Sequence, residues 1–229
     1  MRNGWSTYLQ HIKHNVSFLD KILAIVAPHD CLACQMEGSI LCKPCLNSLP
    51  PVSPKQLPNP NLEIVQSATA YGSIAKDLIW KLKSSGAQEA AKIMSSRMLK
   101  LLPSTRNCLI VPVPTASSRV RRRGYDQARL IAKELSRQSR LPYLNCLIRQ
   151  GQAHQVGAGR EQRLGQLTNA FRVKYSPLTN NAHIILIDDV VTTGATLESA
   201  AKLLKQAGAA QVEAITFARP RMRIKTPNQ

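Results

Sequence analysis

One stretch constrains this chain more than any other: His183-Ile184-Ile185-Leu186-Ile187-Asp188-Asp189-Val190-Val191-Thr192-Thr193-Gly194-Ala195-Thr196-Leu197. The apolar run from Ile184 to Ile187, with Val190 beyond it, suits a parallel strand covered on both faces. Asp188 and Asp189 then fall at the carboxyl end of that strand, where open α/β sheets bind ligands. Thr192, Thr193, Gly194 and Thr196 make the turn that follows. Gly194 lets a ligand approach the backbone closely. The free N–H groups and positive dipole end of the next helix suit a phosphate. The two carboxylates accept hydrogen bonds from sugar hydroxyls. Strand, acids and loop together describe a site for a ribose 5-phosphate.

In this order of parts the run resembles the phosphoribosyl-pyrophosphate (PRPP) motif of type I phosphoribosyltransferases. The resemblance implies that Asp188 and Asp189 hold the ribose 2′- and 3′-hydroxyls. It assigns the 5′-phosphate to Val191, Thr192, Thr193, Gly194, Ala195 and Thr196. A solvated strand end before a Thr-capped helix is the plainer alternative.

Four of the six cysteines form Cys31-x2-Cys34-x7-Cys42-x2-Cys45. Each pair can present two thiolates from one tight knuckle, and two knuckles together make a tetrahedral sulfur set that suits Zn²⁺. Such a site is structural, because sulfur fills every position. A metal would hold together a segment too short to build a core of its own. Two disulfides are disfavoured in the cytosol, and a thiol-redox site needs only one pair. Cys108 and Cys146 lie in apolar runs and read as packing residues.

The charge is unusual: 31 Lys and Arg against 13 Asp and Glu, a formal +18. Such a surface favours nucleic acid, acidic membrane or polyphosphate. PRPP with its Mg²⁺ accounts for a few of these cations, not for basic residues spread along the whole sequence. Aromatic residues make up only 4% of the chain, so contacts to nucleic acid would be mostly to backbone, with Tyr125, Tyr71 or Trp80 stacking a few bases at most. The N-terminus has no secretory pattern and no stretch is long and apolar enough to span a bilayer, so a cytosolic protein is expected. Phe18, Leu19, Ile22, Leu23, Ile25 and Val26 can share one side of a helix, for core packing, a partner contact or peripheral membrane binding.

The reading along the chain is α/β. Residues 1–49 hold a helix over 5–27 and the cysteine unit, 50–62 are a Pro-rich linker, 63–220 form the main domain, and 221–229 are a basic tail. Within the main domain, strands are expected at 64–71, 108–113, 144–148, 183–188 and 211–218. Helices are expected at 74–83, 87–102, 127–138 and 196–207, with Gly208 as a stop. Residues 150–169 read as a loop, and His154 within them as an exposed histidine. The segment 115–126 also reads as a loop, carrying Arg119, Arg121, Arg122 and Arg123. If strand 108–113 runs parallel to strand 183–188, these guanidiniums border the ribose-phosphate loop. They suit pyrophosphate or a nucleic-acid backbone. Lys83 is a further candidate for the pyrophosphate.

Across its length the chain resembles the ComF (GntX-like) family. The resemblance rests on the four-cysteine unit, Tyr71-x11-Lys83-x2-Gly86, Val111-Pro112-Val113-Pro114, Arg119, Arg123-Gly124-Tyr125-Asp126-Gln127-Ala128, Arg149, Gln155, Arg163, Ala170-Phe171 and the Asp188–Leu197 run. Departures are Thr115-Ala116 where the family has Leu-His, Tyr125-Asp126 for Phe-Asn, Gln166 for Asn and Ala158 for Leu. The resemblance implies a zinc finger joined to a Rossmann-like phosphoribosyltransferase-type domain. It implies a role in natural transformation, with PRPP and single-stranded DNA as ligands and DNA-uptake channel or helicase proteins as partners, on the cytosolic side of the membrane. An active phosphoribosyltransferase, with Asp188, Asp189 and Lys83 at its centre and an unidentified small acceptor, is the alternative.

Overall fold

A computed structural model describes residues 29–56, 61–84, 87–104, 107–150, 171–174 and 182–220. The helix expected over 5–27, Gly86, the loop residues His154, Gln155 and Arg163, and the tail 221–229 lie outside the described residues.

Among the described residues, the apolar runs near 64–70, 108–112, 183–190 and 211–219 form strands of one sheet. Its strands are β1 (Lys55–Gln56), β2 (Ile64–Ala70), β3 (Cys108–Pro112), β6 (His183–Val190) and β7 (Gln211–Arg219), in the order β1-β2-β7-β6-β3. β2, β7, β6 and β3 are parallel, and β1 pairs antiparallel with β2 at the edge. The central strand β6 is paired on both sides: Ile185 lies opposite Ile110 on β3 and Glu213 on β7. It continues to Val190, so the two acids still belong to the ladder, with Asp188 opposite Thr216.

Alternation along β6 divides the interior in two. Ile185 and Ile187 join one buried cluster with Leu78, Ile79 and Leu82 of α2 (Ser73–Leu82), Met94 and Met98 of α3 (Ala87–Met98), and Ile131 and Leu135 of α5 (Gln127–Ser139). Ile184 and Leu186 join the other, against Leu197, Ala200, Ala201 and Leu204 of α6 (Ala195–Gln206). The sheet is thus covered on both faces, as an all-apolar parallel strand requires. The fold is an α/β Rossmann-like parallel sheet of phosphoribosyltransferase type with a small N-terminal cysteine unit.

Three elements differ from the sequence reading. The strand expected at 144–148 forms at Leu147–Arg149 (β4), pairing antiparallel with Phe171–Val173 (β5) in a separate small ladder. Only a single bridge, Tyr143 to Ile110, ties this segment to the edge of β3. The helix expected at 87–102 ends at Met98 and tightens into a 3₁₀ turn over Leu99–Leu101. The arginine segment is a helix rather than a loop: α4 spans Ser117–Arg123 and stops at Gly124, which takes φ +80°. That left-handed conformation is cheap for glycine, and the Gly124 N–H caps Val120 O at 2.7 Å.

The cysteine unit contributes to the domain's own core. Ile40, Leu41, Leu46 and Leu49 are buried in the same cluster as α2 and α3. Leu46 belongs to the short helix α1 (Lys43–Asn47). Glu89 of α3 accepts the Ile40 N–H at 3.0 Å and lies 3.7 Å from His29. The Arg97 guanidinium donates to Leu49 O at 3.0 Å, and Pro50 O accepts from Thr69 Oγ1 at 2.9 Å. Unit and sheet therefore unfold together. Ile40→Ala is expected to cost about 2–5 kcal/mol. Cysteine labelling and far-UV circular dichroism should shift to the same lower denaturant midpoint. Early labelling with an unmoved sheet transition would mean that the unit folds by itself.

Candidate functional site

The four N-terminal sulfurs converge although they come from two knuckles. The first knuckle is closed by Cys31 N–H to Met36 O and Gln35 N–H to Cys31 O, both 2.9 Å, with Gln35 and Gly38 in the positive-φ conformations that so tight a turn needs. In the second, Cys42 is the N-cap of α1 and Cys45 lies on that helix. The sulfurs all lie within 4.8 Å of one another, with Cys31 to Cys42 and Cys34 to Cys42 at 3.7 Å. All four are free thiols, far outside the roughly 2.05 Å of a disulfide. A tetrathiolate tetrahedron with bonds near 2.3 Å has edges of about 3.8 Å, so the donor set fits a metal ion. The thiols divide electrostatically. Burial pushes Cys31 up, but hydrogen bonds from the backbone at Cys34, Cys42 and Ala33 outweigh it and bring it down to about 6. Cys45 is pushed up to about 12, chiefly by hydrogen bonding with Cys42 and Cys34. A lone thiolate makes its neighbours resist ionising, and a bound cation relieves that repulsion.

The second site lies at the carboxyl edge of the sheet. Asp188 accepts the Asp189 N–H at 2.8 Å. Its carboxyl is raised well above the usual range, first by removal from water and then by the charge of Asp189. Asp189 turns instead to Lys83, the C-cap of α2, whose Nζ lies 2.8 Å from its carboxylate. Topology makes this pair: β2 and β6 end on the same edge, and α2 carries the chain from the one back towards the other. Beyond β6, Val191 is buried and its N–H bonds Ala218 O at 3.1 Å, while Thr192 and Thr193 are exposed. Gly194 is the N-cap of α6 at φ +96°, and Thr193 Oγ1 accepts the Ala195 N–H at 3.3 Å. Strand end, acids and small-residue turn therefore stand in the arrangement the sequence suggested.

The arginines of α4 differ among themselves. Arg119, Arg121 and Arg122 are exposed, and Arg123 is half-buried. Arg119 is the one that acts electrostatically on another arginine, Arg149. Its charge lowers the pKa of Arg149, on which burial is the larger cause and Asp188 acts in the opposite direction. Arg149 itself lies on β4, 5.4 Å from the centre of the Phe171 ring. The sequence reading kept Arg149 only as a point of family resemblance and missed that Asp188 acts on it electrostatically. The small β4–β5 ladder carries Arg149, and an isolated three-residue strand gave little warning of it.

Tyr125 has a different surrounding from the one expected. Its hydroxyl lies 3.0 Å from both Leu82 O and Ser84 O, and it is half-buried. It binds the end of α2, next to Lys83, to the end of α4. Asp126 is likewise structural: its carboxylate accepts from Thr115 N–H at 2.8 Å, from Thr115 Oγ1 at 3.1 Å and from Arg129 N–H at 3.2 Å, capping α5. Thr115, one of the departures from the family pattern, thus has a partner in Asp126, another of them.

The chain is similar in sequence to known proteins. Residues 85–229 match the family described as "Phosphoribosyl transferase domain". Competence protein ComFC of Bacillus subtilis is 33% identical over 67% of this chain and 63% of its own length. The DNA utilization protein YhgH of Escherichia coli is 32% identical over 69% of this chain and 72% of its own. Competence protein F of Haemophilus influenzae is 36% identical, and the chain spans 49% of its length. Among solved structures, adenine phosphoribosyltransferase from Saccharomyces cerevisiae aligns over 72% of this chain and 83% of that one, with a TM-score of 0.40 and 13% identity.

The raised Asp188 carboxyl has a consequence for stability. Its folded pKa lies above the ordinary value of 3.8, so ionising it favours the unfolded chain as pH rises through this window. Asp188→Asn removes that cost. The variant should melt a few degrees higher than the parent at pH 7.5, and thermal scans should show the gain shrinking as pH falls towards 4. An unchanged or lower melting temperature at pH 7.5 would contradict the assignment.

Proposed function

This chain belongs to the phosphoribosyl transferase domain family, with ComF-type competence proteins among its relatives. On that premise we propose that it serves natural transformation as a cytosolic protein that binds PRPP and single-stranded DNA. One observation supports the reading: Lys83 reaches Asp189 at the carboxyl edge of the sheet, the edge from which the turn at 191–194 and, after β3, the helix α4 also leave. Asp188 and Asp189 take the ribose hydroxyls, which replace Lys83 as the partner of Asp189. Residues 191–196 take the 5′-phosphate at the N-terminus of α6. Freed from Asp189, Lys83 joins Arg119 and Arg149 on the pyrophosphate. Mg²⁺ arrives with that pyrophosphate and neutralises part of its charge. DNA follows the exposed guanidiniums of α4, and DNA-uptake channel or helicase proteins are the partners such a role implies. The ion of the four-cysteine unit is Zn²⁺ in a structural role, since thiolate sulfur in a closed tetrahedron favours it.

A second reading is catalytic, with Asp188, Asp189 and Lys83 serving transfer of ribose 5-phosphate to a small acceptor. The mutual influence of Arg119, Arg149 and Asp188 favours it, because a departing pyrophosphate needs such cations. Release of pyrophosphate from PRPP above the uncatalysed rate would support that reading, and a stable complex with no turnover would leave the binding role alone.

Fluorescence anisotropy with a single-stranded oligonucleotide across a salt series tests the DNA arm. Affinity should fall steeply with salt. Arg121→Glu with Arg123→Glu should abolish binding while bound metal stays at one Zn²⁺ per chain. Binding retained in that variant would remove α4 from the DNA surface. Titration calorimetry tests the other arm: Mg²⁺-PRPP should bind the parent, and Asp189→Asn should weaken it at least tenfold. Competition between PRPP and DNA would put both ligands on the same edge.

A further inference from the structure

We propose that Trp80 is a base-stacking platform for single-stranded DNA, continuing the basic track of α4 onto α2. The inference rests on the reading of this edge as a DNA surface and names the side chain that holds bases there. Three large apolar side chains are exposed among the described residues: Met36, Tyr71 and Trp80, the last with 62% of its surface in water. An exposed apolar residue is ordinary by itself. The charge around this one is not. Lys76 is one helical turn before Trp80 on α2, and Lys83 follows within a turn. The Lys81 ammonium stands 5.9 Å from the centre of the indole ring. Asp77 is the one acid on the helix. An aromatic face among cations suits a ligand that is itself a polyanion with flat π-faces, and single-stranded nucleic acid is such a ligand.

The platform is also fixed relative to the arginines. Trp80 O accepts from Ser84 Oγ and from Lys83 N–H, both at 2.9 Å. The next carbonyls, Leu82 O and Ser84 O, receive the Tyr125 hydroxyl from the end of α4. The end of α2, which carries Trp80 and Lys83, is thereby braced to the end of α4, which carries the arginines. Of the aromatic residues that sequence offered for stacking, Tyr125 serves as this brace. Tyr71 is less exposed than Trp80, at 41%, and lies just before the start of α2.

Stacking and backbone contact respond differently to salt, which makes the two separable. The chain has two tryptophans, so Trp5→Phe in the full-length protein leaves Trp80 as the sole indole reporter. Titration with oligo(dT) should quench Trp80, and an abasic oligonucleotide of equal length should quench it far less. Trp80→Ala should weaken oligo(dT) binding roughly 5- to 150-fold, the range expected for one stacked base. The salt slope should stay as in the parent, because no phosphate contact is lost. Mg²⁺-PRPP affinity should be unchanged. Parent-like DNA affinity in Trp80→Ala, with no quenching, would overturn the platform while leaving the DNA reading intact. Absence of DNA binding in the parent at low salt would overturn both. A Trp80→Ala variant that changes sedimentation rather than DNA affinity would assign the indole to self-association instead.

Discussion

A parallel ladder sends every carboxyl end to one edge, and the rest of this molecule is arranged around that consequence. β2, β3, β6 and β7 each leave the sheet there, so the loops after them meet whatever their distance in sequence. The Lys83–Asp189 pair, the turn at 191–194 and the helix α4 are three products of this single constraint. The ladder itself persists because both of its faces are buried. The alternating partition of Ile184, Ile185, Leu186 and Ile187 between two clusters supplies that burial.

The edge holds charges that would be expensive anywhere else. Two adjacent carboxyls emerge from a strand paired on both sides, and Asp188 responds by shifting towards its protonated form. Asp189 is stabilised by Lys83 at an intermediate depth, where an ion pair is screened only in part. Arg119 and Arg149 repel each other close by. Such frustration is unfavourable for the fold, and a ligand carrying hydroxyls to the acids and phosphates to the cations would relieve it. That is the usual relation between a binding site and the stability of its scaffold.

The cysteine unit adds a second dependency. Its apolar residues lie in the same cluster as α2 and α3, and Glu89 and Arg97 hold its backbone. A metal held by the four sulfurs would therefore help order the helix that ends at Lys83, and would act on that edge through packing alone.

Local patterns were enough for the parts of this protein that are local. Apolar runs gave the parallel strands, cysteine spacing gave the knuckles, and the acids before a Thr-Thr-Gly turn gave the strand end and the helix that follows it, because each is specified by neighbours within about fifteen residues. Even α4 has a local signal, in the Gly124 that directly follows it. Tertiary structure alone decided the rest. The β4–β5 ladder that holds Arg149, Tyr125 on the carbonyls of Leu82 and Ser84, and Lys83 on Asp189 all join segments far apart in the chain. Strand order brings those segments together, and no periodicity within either segment encodes its distant partner.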